Sequence, residues 1–435
     1  MTARNVVILL ISTLSPPEEA AKLMLHVWYS ARLTPRMIQS LEGQIRGFIA
    51  EGVESCQALS EADQMQSMEW KFNSRVLTIS LCTWQWEHIL KILDSRPSLN
   101  DAERRRKQVM LAETQVDTRD RQYNLLRPSE RVSVHKLRET GVLLPFGFGV
   151  NEYDHQEFGY HHPNPTMYDP DTGAWLQQPL YEAKASWNLA QILTSGARHG
   201  VPKEDINGHT YFHVLGTLTA FCKKLRSLNV HFCIYSASPD LLPELLEKTT
   251  TISSFDRIDA SHLADIPNPA AQTKDGTSVL EITLLSLGRM LKTPVQNPHA
   301  VLITLFLNAT EHALRALGGD YARVRQKHNM KRVAKFMDWN QDISYPFYLK
   351  FMDACHVFRD YDMLFEKYLD MIGLEQVEDK QGMKMKEPNS VVESWPYRMK
   401  KRAVEKGAQA EFEAVLASFA LGGGRYVEWV RKILN

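Results

Sequence analysis

Polar side chains that could bind a small molecule follow three predicted strands in the middle of the chain, at residues 229–236, 255–261 and 300–308. Ligands bind at the carboxyl ends of the strands in open α/β sheets. The residues at or just after these ends therefore form the candidate site: Ser236, Ser238, Asp240, Ser261, His262, Asp265 and Asn308. Strand ends are also polar simply because loops begin there, so a small-molecule pocket is one of two interpretations.

A second group could bind a metal ion, because it combines histidines with a carboxylate. It consists of Asp154, His155, His161 and His162, and such side chains are ligands for zinc and iron. Their spacing follows neither a helix nor a strand, so local hydrogen bonding by a polar loop explains them equally well. We expect no metal site here.

Nucleophilic catalysis has no local signature in the sequence. The G-x-S-x-G turn of one large hydrolase class is absent. The chain has five scattered cysteines and no C-x-x-C pair, which argues against a disulfide framework and a thiolate zinc site. Unpaired cysteines are typical of a reducing compartment, and we expect the protein to be cytoplasmic.

The elements that must position the candidate site are expected to form an α/β fold. The run at 300–308 is too continuously apolar for a half-exposed strand, and a leucine-rich segment at 279–291 precedes it as a predicted helix. Strands buried on both faces occur in parallel sheets that are covered by helices. We therefore predict that the three strands belong to one partial, Rossmann-like parallel sheet with extensive added helices.

Four segments follow from the patterns along the chain. Residues 1–140 are predicted to be mainly helical, 141–188 an irregular aromatic loop, 189–310 the Rossmann-like part, and 311–435 helical. The loop at 141–188 is too long for a plain connector and too aromatic for a disordered segment. We expect it to act as a lid over the carboxyl ends of the strands.

The charge balance and hydropathy of the chain limit the classes of partner that it could bind. Lys plus Arg and Asp plus Glu both number 51 among 435 residues, and this balance argues against nucleic acid, which needs clustered positive charge. No apolar run approaches the length of about 18 residues that a membrane span requires. A protein partner or a small molecule remains.

Several short pieces of the sequence are similar to one known family. The central segment resembles a class I, S-adenosylmethionine-dependent methyltransferase in Phe255-Asp256 and in Leu291-Lys292-Thr293-Pro294. More specifically, the chain resembles fungal methyltransferase-like proteins that carry domain of unknown function 4470, a domain shared with a dynein axonemal assembly factor. The pieces that carry this resemblance are Ala3-Arg4-Asn5-Val6, Leu25-His26-Val27-Trp28-Tyr29-Ser30, Leu144-Pro145-Phe146-Gly147, Pro163-Asn164-Pro165-Thr166, Phe255-Asp256-Arg257-Ile258, Asn297-Pro298-His299-Ala300 and Phe306-Leu307-Asn308-Ala309.

The resemblance also implies what the chain lacks. In that family a strand, a glycine-rich turn and a second strand come before the Ala-Arg-Asn helix, and here the chain opens inside that helix. An acidic residue that binds adenine is common where Ser238 stands. We therefore expect a non-catalytic binding or scaffold module that takes no cofactor. The alternatives are an S-adenosylmethionine-dependent methyltransferase, possibly of fungal specialised metabolism, whose cofactor loop is missing from this chain, and an unrelated small-molecule enzyme on the same sheet.

Overall fold

The computed structural model describes residues 2–56, 65–148, 159–177, 183–184, 187–238, 241–249, 252, 254–265, 278–337, 344–418 and 422–432. The chain divides into two compact units, Met1–Ser236 and Ala237–Asn435. Both combine helices with small sheets, so the α/β class is confirmed. The boundary falls inside the predicted segment 189–310.

The N-terminal unit is built mainly from helices. They are α1 (Thr2–Ile11), α2 (Pro17–Tyr29), α3 (Pro35–Ser40), α4 (Arg46–Cys56), α5 (Thr83–Asp94), α6 (Leu99–Met110), α7 (Val116–Leu125), α8 (Pro128–Thr140), α9 (Leu189–Ala197) and α10 (Ile206–Ser227). Its strands are β1 (Arg32–Leu33), β2 (Met65–Phe72), β3 (Arg75–Cys82), β4 (His162–Pro163) and β5 (Val230–Tyr235).

The sheet of this unit corrects the predicted single sheet. Strand β5, the first of the three predicted strands, pairs in parallel with β3, and β3 pairs antiparallel with β2. The β2–β3 hairpin is not among the predicted elements, although Asn73 at its turn adopts a φ of 57°, which asparagine tolerates better than most residues. No residue of β5 is buried, so the predicted burial on both faces is wrong for this strand. An apolar run also does not identify the neighbouring strand, and β5 was therefore assigned to the wrong sheet.

The core of the N-terminal unit lies between the first helices and this sheet. Helix α2 places Ala20, Leu23, Met24 and Val27 on one buried face, and this spacing is that of an amphipathic helix. They join a cluster with α1, α4 and α5 that includes Trp86, which is fully buried. The helical face dictated by the sequence is therefore the face that packs.

The C-terminal unit contains helices α11 (Leu242–Thr249), α12 (Val279–Gly288), α13 (Ala309–Val333, kinked at Gly318), α14 (Tyr345–Ala354), α15 (Tyr361–Ile372), α16 (Leu374–Gln381) and α17 (Ala408–Ala417). Its strands are β6 (Arg257–Ser261), β7 (Val301–Phe306), β8 (Met383–Lys386) and β9 (Arg425–Arg431). The predicted helical segment 311–435 thus also contributes two strands.

These strands form a mixed sheet with the order β6-β7-β9-β8. Strands β6 and β7 are parallel and α12 lies between them in the chain, as predicted. Strand β9 pairs antiparallel with β7 on its other side. This pairing makes β7 a central strand, and Leu302 within it is fully buried.

Candidate functional site

The predicted strand-end residues fall into both units. Ser236 ends the N-terminal unit, where its Oγ accepts a hydrogen bond of 2.8 Å from Nε2 of Gln85. Ser238 lies in the C-terminal unit and its carbonyl accepts from the amide of Leu241 at 3.0 Å. Asp240 lies outside the described residues. Ser236 therefore belongs to the N-terminal unit, whereas the other described members of the predicted site belong to the C-terminal unit.

Asp265 and Asn308 do meet at the carboxyl end of β7. Asp265 is buried, and its Oδ2 accepts a hydrogen bond of 2.6 Å from the amide of Asn308 and another from the amide of Leu307. Burial raises the pKa of Asp265, and the hydrogen bonds from Asn308 and Leu307 act in the opposite direction. The carboxylate sits at the start of α13, so it fixes the strand-to-helix turn and stabilises the helix N-terminus.

Ser261 and His262 lie at the end of β6 and are exposed. Ser261 adopts a φ of 47°, and its amide donates to Oδ1 of Asp259 at 2.7 Å. The Oγ of Ser261 lies 3.4 Å from Nδ1 of His262, which is longer than the distances typical of a strong hydrogen bond. These two residues form no arrangement that would activate a serine.

The histidine group predicted as an alternative metal site is only partly described. Asp154 and His155 lie outside the described residues, and His162 pairs with Leu33 in the β1–β4 ladder. The described residues contain no group of three or more His, Cys, Asp or Glu side chains that could hold a metal ion.

A cavity that sequence reasoning did not predict lies in the N-terminal unit. Its volume is about 530 Å³, within the range of roughly 300–1,000 Å³ that is usual for small-molecule sites. It is lined by the α1–α2 turn, α2, α3, the aromatic loop and α10: Leu14, Ser15, Pro16, Glu19, Ala20, Lys22, Leu23, Thr34, Arg36, Met37, Ser40, Gln44, Leu144, Phe148, Tyr160 and Tyr211.

Tyr160 in the wall of this cavity belongs to a series of buried hydrogen bonds that continues behind the wall. The hydroxyl of Tyr160 lies 3.0 Å from Nε2 of His26, and Nδ1 of His26 lies 2.9 Å from Oγ of Ser30. The amide of Leu143 donates to the same Oγ at 3.1 Å. Both ring nitrogens of His26 therefore have partners, and these hydrogen bonds fix Tyr160 where it faces the cavity.

The electrostatics of this wall keep His26 neutral. Desolvation by burial, followed by the positive charge of Lys22, lowers the pKa of His26 to about 3. Burial also raises the pKa of Tyr160 and of Tyr211. All three rings stay uncharged near neutral pH, so this wall offers hydrogen bonds and apolar surface without charge.

The charged residues of the cavity lie on α2 and α3. Lys22 is half-buried, and Glu19 and Arg36 are exposed. None of the three forms an ion pair within 4.0 Å of another described residue. Two cations face one carboxylate, so the lining carries a net positive charge.

The loop is held against the N-terminal unit by polar anchors. The side-chain Nδ2 of Asn164 donates to the carbonyl oxygens of His26, Val27 and Ser30 at 3.2, 3.0 and 2.8 Å. Asn164 is fully buried, and it satisfies backbone carbonyls at the end of α2, where a helix leaves carbonyls without helical partners. The hydroxyl of Tyr168 also donates to the carbonyl of Ala102 at 3.2 Å. The described part of the loop thus packs on helices of its own unit, and the expectation that it covers the predicted strand-end site stays a prediction.

A signal for these residues was present in the sequence. Lys22, His26 and Ser30 are spaced by four residues, so they share one face of α2 and its C-cap. The two proline residues that flank Asn164 favour a fixed extended path. However, Nε2 of His26 has Tyr160 as its partner, 134 residues further along the chain. No local sequence pattern identifies a contact between residues so far apart.

A smaller cavity of about 170 Å³ lies in the C-terminal unit. The charged residues that line it form ion pairs within the protein. Arg359 pairs with Glu311, and Arg325 lies 3.6 Å from Asp360. Burial raises the pKa of the Cys355 thiol in its wall to about 11, so the thiol is protonated near neutral pH and a poor nucleophile.

Comparison with known proteins adds no assignment. No family model matches the chain, and neither curated proteins nor solved structures give a significant match. Among the described residues, no helix is both long and apolar enough to cross a membrane.

Proposed function

We propose that this chain is a methyltransferase-like, non-catalytic module that binds a small molecule in the cavity of its N-terminal unit. The observation that carries the proposal is the cavity of about 530 Å³ between α2, α3 and the aromatic loop. Its walls are held by internal hydrogen bonds before any ligand arrives, which reduces the entropy lost on binding.

The chemistry of the cavity supports binding without catalysis. A general base works best when its pKa lies near the working pH, whereas His26 has a pKa of about 3 and both of its ring nitrogens are engaged. Tyr160 has a raised pKa and is a weak acid. The buried wall therefore holds a ligand in place and lacks a group suited to transfer a proton at neutral pH.

The predicted strand-end site supports the same proposal. Oδ2 of Asp265 already accepts the amides of Leu307 and Asn308, so this oxygen is engaged in the strand-to-helix turn. We propose that the module takes no cofactor.

One observation favours the alternative, S-adenosylmethionine-dependent methyl transfer. Strands β6 and β7 are parallel and are joined through α12, an arrangement found in Rossmann-like sheets. Titration calorimetry of the full chain with S-adenosylmethionine separates the two proposals: we expect no measurable binding, and micromolar affinity would favour the alternative.

The composition supports a cytoplasmic binding module whose partners exclude nucleic acid. Positive and negative residues are equal in number, and none of the five cysteines, all of them described, forms a disulfide. A protein partner in a scaffold role remains compatible with small-molecule binding.

Native mass spectrometry tests the proposed function. The full chain is incubated with a deproteinised small-molecule extract, and we expect a bound mass on the wild type that is lost in Leu144→Trp, because the larger ring obstructs the cavity. The control is Val404→Trp at an exposed position of the C-terminal unit. Absence of any bound mass on the wild type, or equal retention in Leu144→Trp, would contradict the proposal.

A further inference from the structure

We infer that the ligand of this cavity is an amphipathic carboxylate, with its anionic head at Lys22 and Arg36 and its apolar body against Leu23, Met37 and Leu144. This inference rests on the proposed function and narrows it to one chemical class.

The charge of the lining favours an anion. Lys22 is half-buried on α2, and its charge is close enough to the interior to contribute to the low pKa of His26. Lys22 lines the cavity and has no ion-pair partner among the described residues, so its ammonium group is available to a ligand anion. Arg36 on α3 lines the same cavity. A ligand carboxylate would give both cations a charge-assisted hydrogen-bond acceptor.

The remaining lining favours an apolar body attached to that head. Leu23 and Met37 are buried residues of α2 and α3, and Leu144 and Phe148 approach from the loop. A wholly polar ligand would leave this surface without favourable contacts. An alkyl or aryl group buries it and gains the hydrophobic contribution.

A neutral donor completes the site. Tyr211 lines the cavity from α10, and its hydroxyl makes no hydrogen bond with another described residue. Because burial raises the pKa of Tyr211, its hydroxyl stays protonated and can donate to the second oxygen of a carboxylate. The polar groups of the site therefore include two cations and a phenol, which favour an anionic head, against the single carboxylate of Glu19.

Three probes with the same alkyl chain and different head groups test the inference. Decanoate, decanol and decylammonium are titrated calorimetrically into the full chain below their aggregation concentrations. We expect decanoate to bind at least about tenfold more tightly than decanol, since a hydrogen bond to a charged group contributes about 1.5–3 kcal/mol and tenfold is about 1.4 kcal/mol. Decylammonium should bind more weakly than either.

Two substitutions locate the head group. Lys22→Met should weaken decanoate about tenfold and leave decanol nearly unchanged, and Arg36→Met at an exposed position should act in the same direction. Lys107→Met on α6 is the matched control, because Lys107 is exposed and does not line the cavity. Circular dichroism confirms that the variants fold.

The possible failures separate the two proposals. Equal affinity for decanoate and decanol, or tightest binding of decylammonium, would overturn the anionic assignment while small-molecule binding stands. Unchanged decanoate affinity in both Lys22→Met and Arg36→Met would overturn the proposed position of the head group. If none of the probes binds while the wild type still retains a mass from the extract, the amphipathic class is wrong and the proposed function survives.

Discussion

The neutral, buried histidine beside the cavity gives the N-terminal unit a specific dependence on pH. His26 is fully buried between Ser30 and Tyr160, with Lys22 and Tyr211 as the nearby titratable groups. Its pKa in the folded protein is about 3, lowered first by desolvation and then by the charge of Lys22. In the unfolded chain the same ring has a pKa of about 6.5.

The sign of the effect follows from the two pKa values. Below about pH 6.5 the unfolded chain binds a proton that the folded unit excludes, so stability present above this pH is lost as the pH falls towards the folded pKa. At about pH 5 the loss is roughly 1.5 pH units multiplied by 1.4 kcal/mol per unit, or about 2 kcal/mol. His26→Gln keeps a polar side chain at this position and cannot titrate, so it should lack this part of the pH dependence.

Urea unfolding with pulsed hydrogen exchange measures how the stability of the N-terminal unit changes with pH. The labelling pulse is applied at one fixed pH after equilibration at about pH 7.5 or about pH 5, and peptides from α2 report the N-terminal unit alone, because two units can unfold separately. His135→Gln on α8 is the control, since His135 is exposed in the same unit. The reasoning is refuted if wild type and His26→Gln lose the same stability between the two pH values.

Three further substitutions test the packing described above. Asn164→Leu should lower the unfolding free energy of the N-terminal unit by at least about 2 kcal/mol, because it removes three hydrogen bonds to backbone carbonyls and leaves the carbonyl of Ser30 without its donor; a loss below about 0.5 kcal/mol in urea titration would contradict this role. Leu302→Ala in β7 should lower the unfolding free energy of the C-terminal unit by about 2–5 kcal/mol, because buried apolar surface is lost and a cavity is left. Leu305→Ala, at a half-buried position of the same strand, should lower it less. The reverse order in chemical denaturation would be inconsistent with the packing of β7. Glu428→Gln should destabilise the C-terminal unit by about 1.5–3 kcal/mol at neutral pH, because its buried carboxylate accepts the amides of residues 390–392 at 2.6–3.0 Å. Burial raises the pKa of Glu428, but these hydrogen bonds outweigh burial and lower the pKa overall. The difference in unfolding free energy between Glu428→Gln and wild type should therefore shrink as the pH falls below about 4.5. A difference that stays constant with pH would count against this role of the carboxylate.

Local patterns predicted helix α12 and the central strand β7. Sequence-local contacts also begin other helices, such as α10, where Oδ1 of Asp205 accepts from the amide of Gly208 at 2.9 Å. Helix α12 begins within the predicted segment because Ser278 and Glu281 form a capping box, in which each side chain satisfies the other's backbone amide. Strand β7 lies inside the predicted run 300–308. Such features depend on residues close together in the chain.

Strand neighbours and the candidate site could not be predicted in the same way. The apolar run of β7 corresponds to a buried strand, whereas no residue of β5 is buried. The strands that pair with them, β3 and β9, lie far away in sequence. The cavity likewise combines residues from Leu14 to Tyr211. Its geometry depends on where Asn164 anchors the loop, and this is a tertiary contact with the end of α2.

The location of the bound ligand is the most direct test of the central claim. Met37 lines the cavity of the N-terminal unit, and Met352 lines the smaller cavity of the C-terminal unit. Spectra of ¹³C-methyl-labelled methionine, assigned with Met→Leu variants, are recorded while decanoate is added to the full chain. We expect the Met37 resonance to shift saturably and that of Met352 to stay in place. A saturable shift of Met352 with no change at Met37 would contradict the proposed site.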